Sequence, residues 1–135
     1  MGTLMNAYAT ATINVCRFVK ADTSHPNGAK QCDDGDELPL GISSNASRLR
    51  PDPDFTSTQV LEAAQAGEPI AIHPPGNVSV DLTCAFAWSP GDLLMPDADG
   101  KGIVATTGKY YGARAESAGV VGALCPVTVV TGSVP

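Results

Sequence analysis

The feature that most constrains this chain is a succession of short apolar runs in its second half, each ended by Gly, Pro or Asp. Residues 69–73 are followed by two prolines, and residues 78–83 alternate between Val or Leu and polar side chains. A period of two is typical of half-buried strands, and frequent turn residues keep each strand short. No comparable run has helical periodicity. The sequence therefore predicts a mainly β fold, a compact β-sandwich or β-barrel of short antiparallel strands.

The length of 135 residues fits one domain. Residues 1–12 carry little pattern and predict an N-terminal arm, so the β-rich domain is expected to span residues 13–135. Within it, residues 43–57 lack periodicity and predict a long surface loop.

The clearest strand signal of the first half lies in residues 9–20. Ile13 and Val19 fall on one side of such a strand, and Phe18 falls on the other. Apolar residues on both sides predict a strand that is covered on both faces.

One short helix is expected at residues 56–67. Thr56 and Gln59 have the spacing of a capping box, and Gly67 suits the left-handed position after a helix. Three turns are marginal without packing, and the alternative is a strand through residues 59–63.

Two tight turns are predicted in the second half. Gly91 and Asp92 open an apolar run, and Asp99 and Gly100 close it. Asp-Gly favours the positive φ of a hairpin turn, so we expect both glycines to adopt positive φ.

The four cysteines are far apart in sequence and form no CxxC pair, which excludes zinc-ribbon spacing. Each adjoins an apolar run, so small buried thiols are expected, with a disulfide as the alternative. They are Cys16, Cys32, Cys84 and Cys125.

The net charge is −6, and an acidic surface disfavours both nucleic acid and anionic membranes as partners. No apolar stretch is long enough to span a bilayer, and residues 1–12 do not resemble a signal peptide. We therefore expect the chain to stay in the cytoplasm, or in an assembly built there. Charged residues make up only 16%, which is a hint of close contact with other chains.

The sequence contains no recognisable catalytic, cofactor or metal motif. His25 and His73 adjoin no recognisable nucleophile, so no catalytic residue is assigned. Residues 33–37 hold four carboxylates but lack the ligand spacing of a calcium loop, and a solvated hairpin tip is expected, with a cation site as the alternative. Residues 97–108 lack the closing Glu of such a loop.

Several segments, in this order, resemble the small head-decoration (cement) proteins of tailed bacteriophages. The stretch that contains them, residues 66–130, is about half of the chain, and residues 21–65 depart from the family pattern. The segments are Ala-Gly-Glu-Pro-Ile at 66–70, Pro-Gly-Asp-Leu-Leu at 90–94, Asp-Ala-Asp-Gly-Lys-Gly-Ile-Val at 97–104, Tyr-Gly-Ala-Arg-Ala-Glu-Ser-Ala-Gly at 111–119 and Val-Thr-Val-Val at 127–130.

The resemblance implies a structural virion protein that binds the outer surface of a phage capsid and cements it at three-fold and quasi-three-fold positions. It implies the major capsid protein as partner, a homotrimer, no cofactor and no enzymatic activity. In some members an N-terminal arm adds a strand to a capsid protein. The matching candidates for capsid binding here are Asn6, Tyr8, Thr10 and Thr12.

Two other classes stay open. A carbohydrate- or ligand-binding β-module could use aromatic side chains to stack on sugars, with Trp88, Tyr8, Tyr110 and Tyr111 as candidates. A small β-barrel hydrolase would need an acidic or metal constellation, which the residue spacing does not supply.

Overall fold

The computed structural model describes residues 5–44, 62–76 and 78–135. These residues form strands and turns and no helix, hence none long and apolar enough to cross a membrane. The mainly β prediction is confirmed. The strands are β1 (Met5–Ala9), β2 (Ile13–Asn14), β3 (Phe18–Ala21), β4 (Gly28–Gln31), β5 (Gly41–Ser43), β6 (Glu62–Ala64), β7 (Pro69–His73), β8 (Ser79–Thr83), β9 (Leu93–Pro96), β10 (Gly102–Val104), β11 (Tyr110–Tyr111), β12 (Ala113–Ala115), β13 (Leu124–Thr128) and β14 (Gly132–Ser133).

The first half forms a closed barrel with the strand order β1-β4-β3-β5-β7. β1 closes it by pairing parallel to β4 and antiparallel to β7, with Tyr8 in register with Gly28 and Pro69. The other neighbouring pairs of the barrel are antiparallel. The barrel therefore depends on a strand from the extreme N-terminal part of the described chain.

The second half forms an antiparallel sheet of the order β10-β9-β12-β13-β8. Its two outer strands meet at one point, where Cys84 forms a parallel bridge with Gly102. The Ala85 amide donates to the Gly102 carbonyl oxygen over 3.0 Å at the same place. The sheet is thus curled until its edges touch.

Strand β3 joins the two halves because its side chains alternate between two cores. Val19 lies in a buried cluster with Ile70 and Ile72, whereas Phe18 lies in a larger cluster with residues of the second sheet such as Leu94. Phe18 and Val19 have no exposed surface. This placement accounts for the two apolar sides of the strand predicted in residues 9–20.

A turn of the second sheet is docked onto the barrel by polar contacts. Arg17 Nη1 and Gln31 Nε2 donate to the carbonyl oxygen of Asp99 over 2.9 and 2.7 Å. The Phe18 amide donates to the carbonyl oxygen of Gly100 over 2.8 Å. Arg17 is 7% exposed, and its burial lowers the pKa of its guanidinium. The contact between the barrel and the second sheet is therefore partly polar, with buried hydrogen bonds beside the apolar core.

The predicted helix at residues 56–67 is wrong over its described part. Glu62–Ala64 is a strand that pairs with β2, and Ala64 lies in the barrel core with no exposed surface. A three-turn helix gains little by itself, and the strand gains both ladder bonds and burial. Gly67 has a φ of +88°, but it lies in a turn closed by a bond from the Glu68 amide to the Gln65 carbonyl oxygen.

Two predicted boundaries can be compared with the strands. Residues 5–9 of the predicted arm form β1, so the folded unit includes chain that precedes residue 13. Ser43, at the start of the predicted loop, is the buried last residue of β5. Residues 45–57 of that loop lie outside the described residues.

Candidate functional site

The predicted capsid-binding residues lie on or just after β1. Asn6 is in register with Ala71 of β7. The Tyr8 amide donates to the Asn27 carbonyl oxygen over 3.1 Å, on the side of β4. Because both edges of β1 are paired, residues 5–9 can add a strand to a partner only by leaving the barrel.

The next two candidates follow the strand. The Thr10 amide and hydroxyl both donate to the carbonyl oxygen of Ala29, over 2.9 and 3.3 Å. Thr12 is exposed. The Thr10 side chain is thus bonded to the barrel, whereas the Thr12 side chain is exposed and makes no hydrogen bond among the described contacts.

The predicted turn residues lie in two turns that carboxylate-to-amide hydrogen bonds stabilise from within. Gly91 and Gly100 have φ values of +88° and +75°. The Asp92 carboxylate accepts the amide of Ser89 over 2.9 Å. In the next turn, the Asp97 carboxylate accepts the amides of Asp99 and Lys101 over 2.8 and 2.9 Å. These acidic side chains therefore act as turn caps.

Lysines hold the acidic segment at residues 33–37. Lys20 Nζ lies 2.9 Å from Asp33 and 3.5 Å from Glu37, and Lys109 pairs with Asp36. The hydrogen bond between Lys20 and Asp33 raises the pKa of the lysine and lowers that of the aspartate. No group of three or more His, Cys, Asp or Glu side chains in the described residues is placed to hold a metal ion.

A pocket of about 280 Å³ combines a histidine with two serines. Burial lowers the pKa of His73, the last residue of β7. The hydroxyl of Ser43 donates to the Asn14 carbonyl oxygen over 2.7 Å, and that of Ser79 donates to Glu116 over 2.6 Å. Neither hydroxyl is directed at the imidazole, so the pocket does not form a nucleophile and base pair.

All four cysteines are buried free thiols, as predicted. Burial raises the pKa of Cys16 to about 11 and that of Cys32 to about 12. Such thiols stay protonated near neutral pH and are poor nucleophiles.

Trp88 belongs to the core of the second sheet. It is 4% exposed, and its Nε1 donates to the carbonyl oxygen of Ser117 over 3.1 Å. A Cβ atom at Gly119 would lie 2.6 Å from the indole ring, so the backbone packs directly on it. The ring is therefore not available for stacking on a sugar.

The surface feature that the sequence prediction missed is a set of exposed apolar side chains on two neighbouring segments, here called the apolar patch. Its members are more than half exposed: Phe86 at 69%, Val120 and Val121 at 63% each, and Leu124 at 52%. The sequence does indicate this surface by its lack of charge: residues 82–91 and 117–135 contain no Asp, Glu, Lys or Arg.

Backbone hydrogen bonds bring the two segments of the patch together. The Cys84 amide donates to Ala123 over 3.0 Å, and the Gly122 amide donates back to Cys84 over 2.8 Å. The Gly119 amide donates to Trp88 over 2.9 Å. The patch thus rests on a well-bonded corner of the second sheet.

No protein-family model matches this chain, and no curated protein matches its sequence. Among solved structures, the crystal structure of the head fiber gp8.5 N base of bacteriophage phi29 matches with a TM-score of 0.56 and 14% sequence identity. The match covers 96% of this chain and 95% of that chain. The likeness shows a shared fold over nearly the whole length.

Proposed function

We propose that this chain is a structural protein of a bacteriophage head. The observation that carries the proposal is the fold match to a head-fiber base, which spans 96% of one chain and 95% of the other. The likeness is one of fold at 14% sequence identity, and it supports the resemblance of the sequence segments.

The resembling segments lie in the strands and turns of the second half of the chain. The segments contribute residues to β7, β9, β10, β12 and β13, and two of their turns hold Gly91 and Gly100. The segments that carry the resemblance thus include parts of four strands of the second sheet and of one strand of the barrel.

In its finer form, the proposal is a cement protein on the outer surface of the capsid. Its partner is the major capsid protein, and it sits at three-fold and quasi-three-fold positions as a homotrimer after assembly in the bacterial cytoplasm. It performs no reaction, and its effect comes from many copies on one shell, where linked weak contacts gain affinity through effective concentration. The support for these details is the family resemblance.

Binding to heads is tested directly. Purified protein is mixed with phage heads that lack it, and the washed particles are imaged by cryo-electron microscopy with symmetry averaging. We expect added density on the outside of the shell at three-fold and quasi-three-fold positions. Bare shells at saturating protein would contradict the proposal, and density elsewhere on the head would contradict only the position.

Cementing is tested separately by a heat challenge. DNA-filled heads with and without bound protein are warmed, and DNA release is followed with a dye that cannot enter intact particles. A ligand that binds only the intact shell stabilises it by mass action, so decorated heads should release DNA at a higher temperature. Equal release temperatures for fully decorated and bare heads would contradict the cementing role.

The carbohydrate-binding alternative is not favoured by the aromatic side chains. Trp88 is enclosed in the core, and among the tyrosines Tyr110 is 37% exposed. Sugar stacking requires an open aromatic face, and the largest candidate ring does not offer one.

A further inference from the structure

We propose that Cys84 and Cys125 are a redox-sensitive pair, which a small-molecule disulfide such as oxidised glutathione converts into an intramolecular disulfide. The bond joins the end of β8 to β13, beside the apolar patch. The inference goes beyond the proposed function and does not depend on it, because it concerns a modification site within the folded chain.

The two cysteines lie on the same face of the second sheet. Cys125 is in register with Leu82 of β8, and the Cys84 amide donates to the Ala123 carbonyl oxygen over 3.0 Å. Cys84 therefore lies two residues along the ladder from the partner of Cys125, at a diagonal position whose side chain points to the same side. Both side chains belong to the buried cluster of that sheet.

The two thiols contact each other. Cys84 and Cys125 interact through a side-chain hydrogen bond. Burial raises the pKa of Cys84, and the Cys125 thiol raises it further by charge repulsion and by that hydrogen bond. A disulfide requires two sulfurs that can approach to about 2 Å. Closing this disulfide shortens a contact that the reduced chain already makes.

The remaining two cysteines have charged neighbours. Those of Cys16 are Asp81 and Arg17. Those of Cys32 include Lys20, whose ammonium group is paired with the acidic segment at residues 33–37. The contact between thiols therefore selects one pair from the four cysteines.

Oxidation proceeds by two thiol–disulfide exchanges. The Cys125 thiolate attacks one sulfur of the small disulfide, which forms a mixed disulfide and releases one small thiol. The Cys84 thiolate then attacks the Cys125 sulfur and releases the second small thiol. The two protons and two electrons that the cysteines lose are thus taken up by the two released thiols. The first exchange is assigned to Cys125 because this residue is 4% exposed, whereas Cys84 has no exposed surface.

The disulfide changes the stability of the second sheet. It encloses residues 84–125, which contain β9 to β12. A cross-link over a loop of this length restricts the unfolded chain and so stabilises the folded one. Oxidation also removes the hydrogen bond that the Cys84 thiol donates to the Phe86 carbonyl oxygen over 3.1 Å, so the change reaches the apolar patch. Because reducing compartments keep thiols free, the sheet is expected to be more stable in an oxidising medium.

The test treats the purified, folded chain with oxidised glutathione at about pH 8. The remaining thiols are alkylated in denaturant, and intact mass with peptide mapping counts and places them. We expect two of the four cysteines to become protected from alkylation, with a disulfide between the peptides that contain Cys84 and Cys125. The oxidised chain should unfold about 5 °C or more above the reduced chain.

Three variants isolate the pair. Cys84→Ala and Cys125→Ala each remove one partner, whereas Cys32→Ala is the matched control, since it removes another buried thiol of the same cluster and keeps the pair. Oxidation should raise the unfolding temperature of the wild type and of Cys32→Ala, and not that of the two pair variants. Far-UV circular dichroism verifies that each reduced variant is folded, and the peptide map of the wild type decides the pairing without any variant.

Four outcomes would overturn the inference. They are four free thiols after treatment with saturating oxidised glutathione, a disulfide that maps to other cysteines, a stable glutathione adduct in place of the intramolecular bond, and equal unfolding temperatures of the oxidised and reduced wild type. Binding to phage heads is measured separately, and these outcomes leave the proposed function as it stands.

Discussion

Gly100 and Gly91 provide a matched pair for measuring how tightly the second sheet is docked on the barrel. Both have positive φ, +75° and +88°. A Cβ at Gly91 would meet no atom within 4 Å. A Cβ at Gly100 would lie 2.8 Å from Gln31 Cγ, 3.2 Å from the Cys32 carbonyl oxygen and 3.3 Å from that of Phe18.

The expected losses follow from these surroundings. Gly91→Ala introduces only backbone strain and should lower the free energy of unfolding by about 1–2 kcal/mol. Gly100→Ala adds overlap with the barrel to the same strain, for a total loss of roughly 2–4 kcal/mol. Part of the overlap is with backbone oxygens, which cannot move aside as the Gln31 side chain can.

Urea unfolding followed by Trp88 fluorescence measures both variants against the wild type. We expect Gly100→Ala to have the lower urea midpoint of the two variants. In thermal unfolding, the midpoints of the two variants should differ by about 3–5 °C for each kcal/mol of difference in their free energies of unfolding. Equal losses in the two variants would refute the close docking of residue 100 against the barrel. An undiminished stability of Gly91→Ala would refute the strained turn.

Three further predictions concern β1, the cysteines and the acidic segment. Tyr8→Pro removes the amide that donates to Asn27 and should lower the free energy of unfolding by roughly 1–3 kcal/mol in urea titration, whereas a free arm would tolerate it. Burial raises the pKa of Cys16 to about 11 and that of Cys32 to about 12. At about pH 8, both thiols should therefore react with a disulfide reagent far more slowly in the native chain than in denaturant. Reaction of the native chain at the rate of the denatured chain would contradict their burial. The hydrogen bond to Lys20 lowers the pKa of Asp33 below its usual 3.8, so the stability that this ion pair contributes is present above pH 3.8 and is lost as pH falls through the lower pKa of the folded state. Asp33→Asn should therefore lose less stability on acidification than the wild type. Identical stability-versus-pH profiles would contradict the pairing.

The strand class of this chain follows from local sequence pattern. Alternation at residues 78–83 became β8, and the turn chemistry around Gly91 and Gly100 corresponds to two turns with positive φ. These features depend on residues close together in the chain, where side-chain period and backbone preference act directly.

The helix prediction failed where a local preference competed with a distant partner. The sequence around residue 62 fits a short helix, but Glu62–Ala64 pairs with Ile13–Asn14, about fifty residues earlier. No window of the sequence contains both strands, so the pairing is decided by tertiary contacts.

The sequence by itself determined that this protein is built from short strands with two-sided apolar packing, because a period of two and frequent Gly, Pro and Asp exclude long elements. Only the tertiary structure decided that Met5–Ala9 closes a barrel beside Gly28–Gln31, and that Phe86 and Val121 share one exposed corner. Strand order and surface neighbourhood depend on which distant segments satisfy each other's backbone bonds and bury each other's side chains. The local pattern of residues does not determine which distant segments pair.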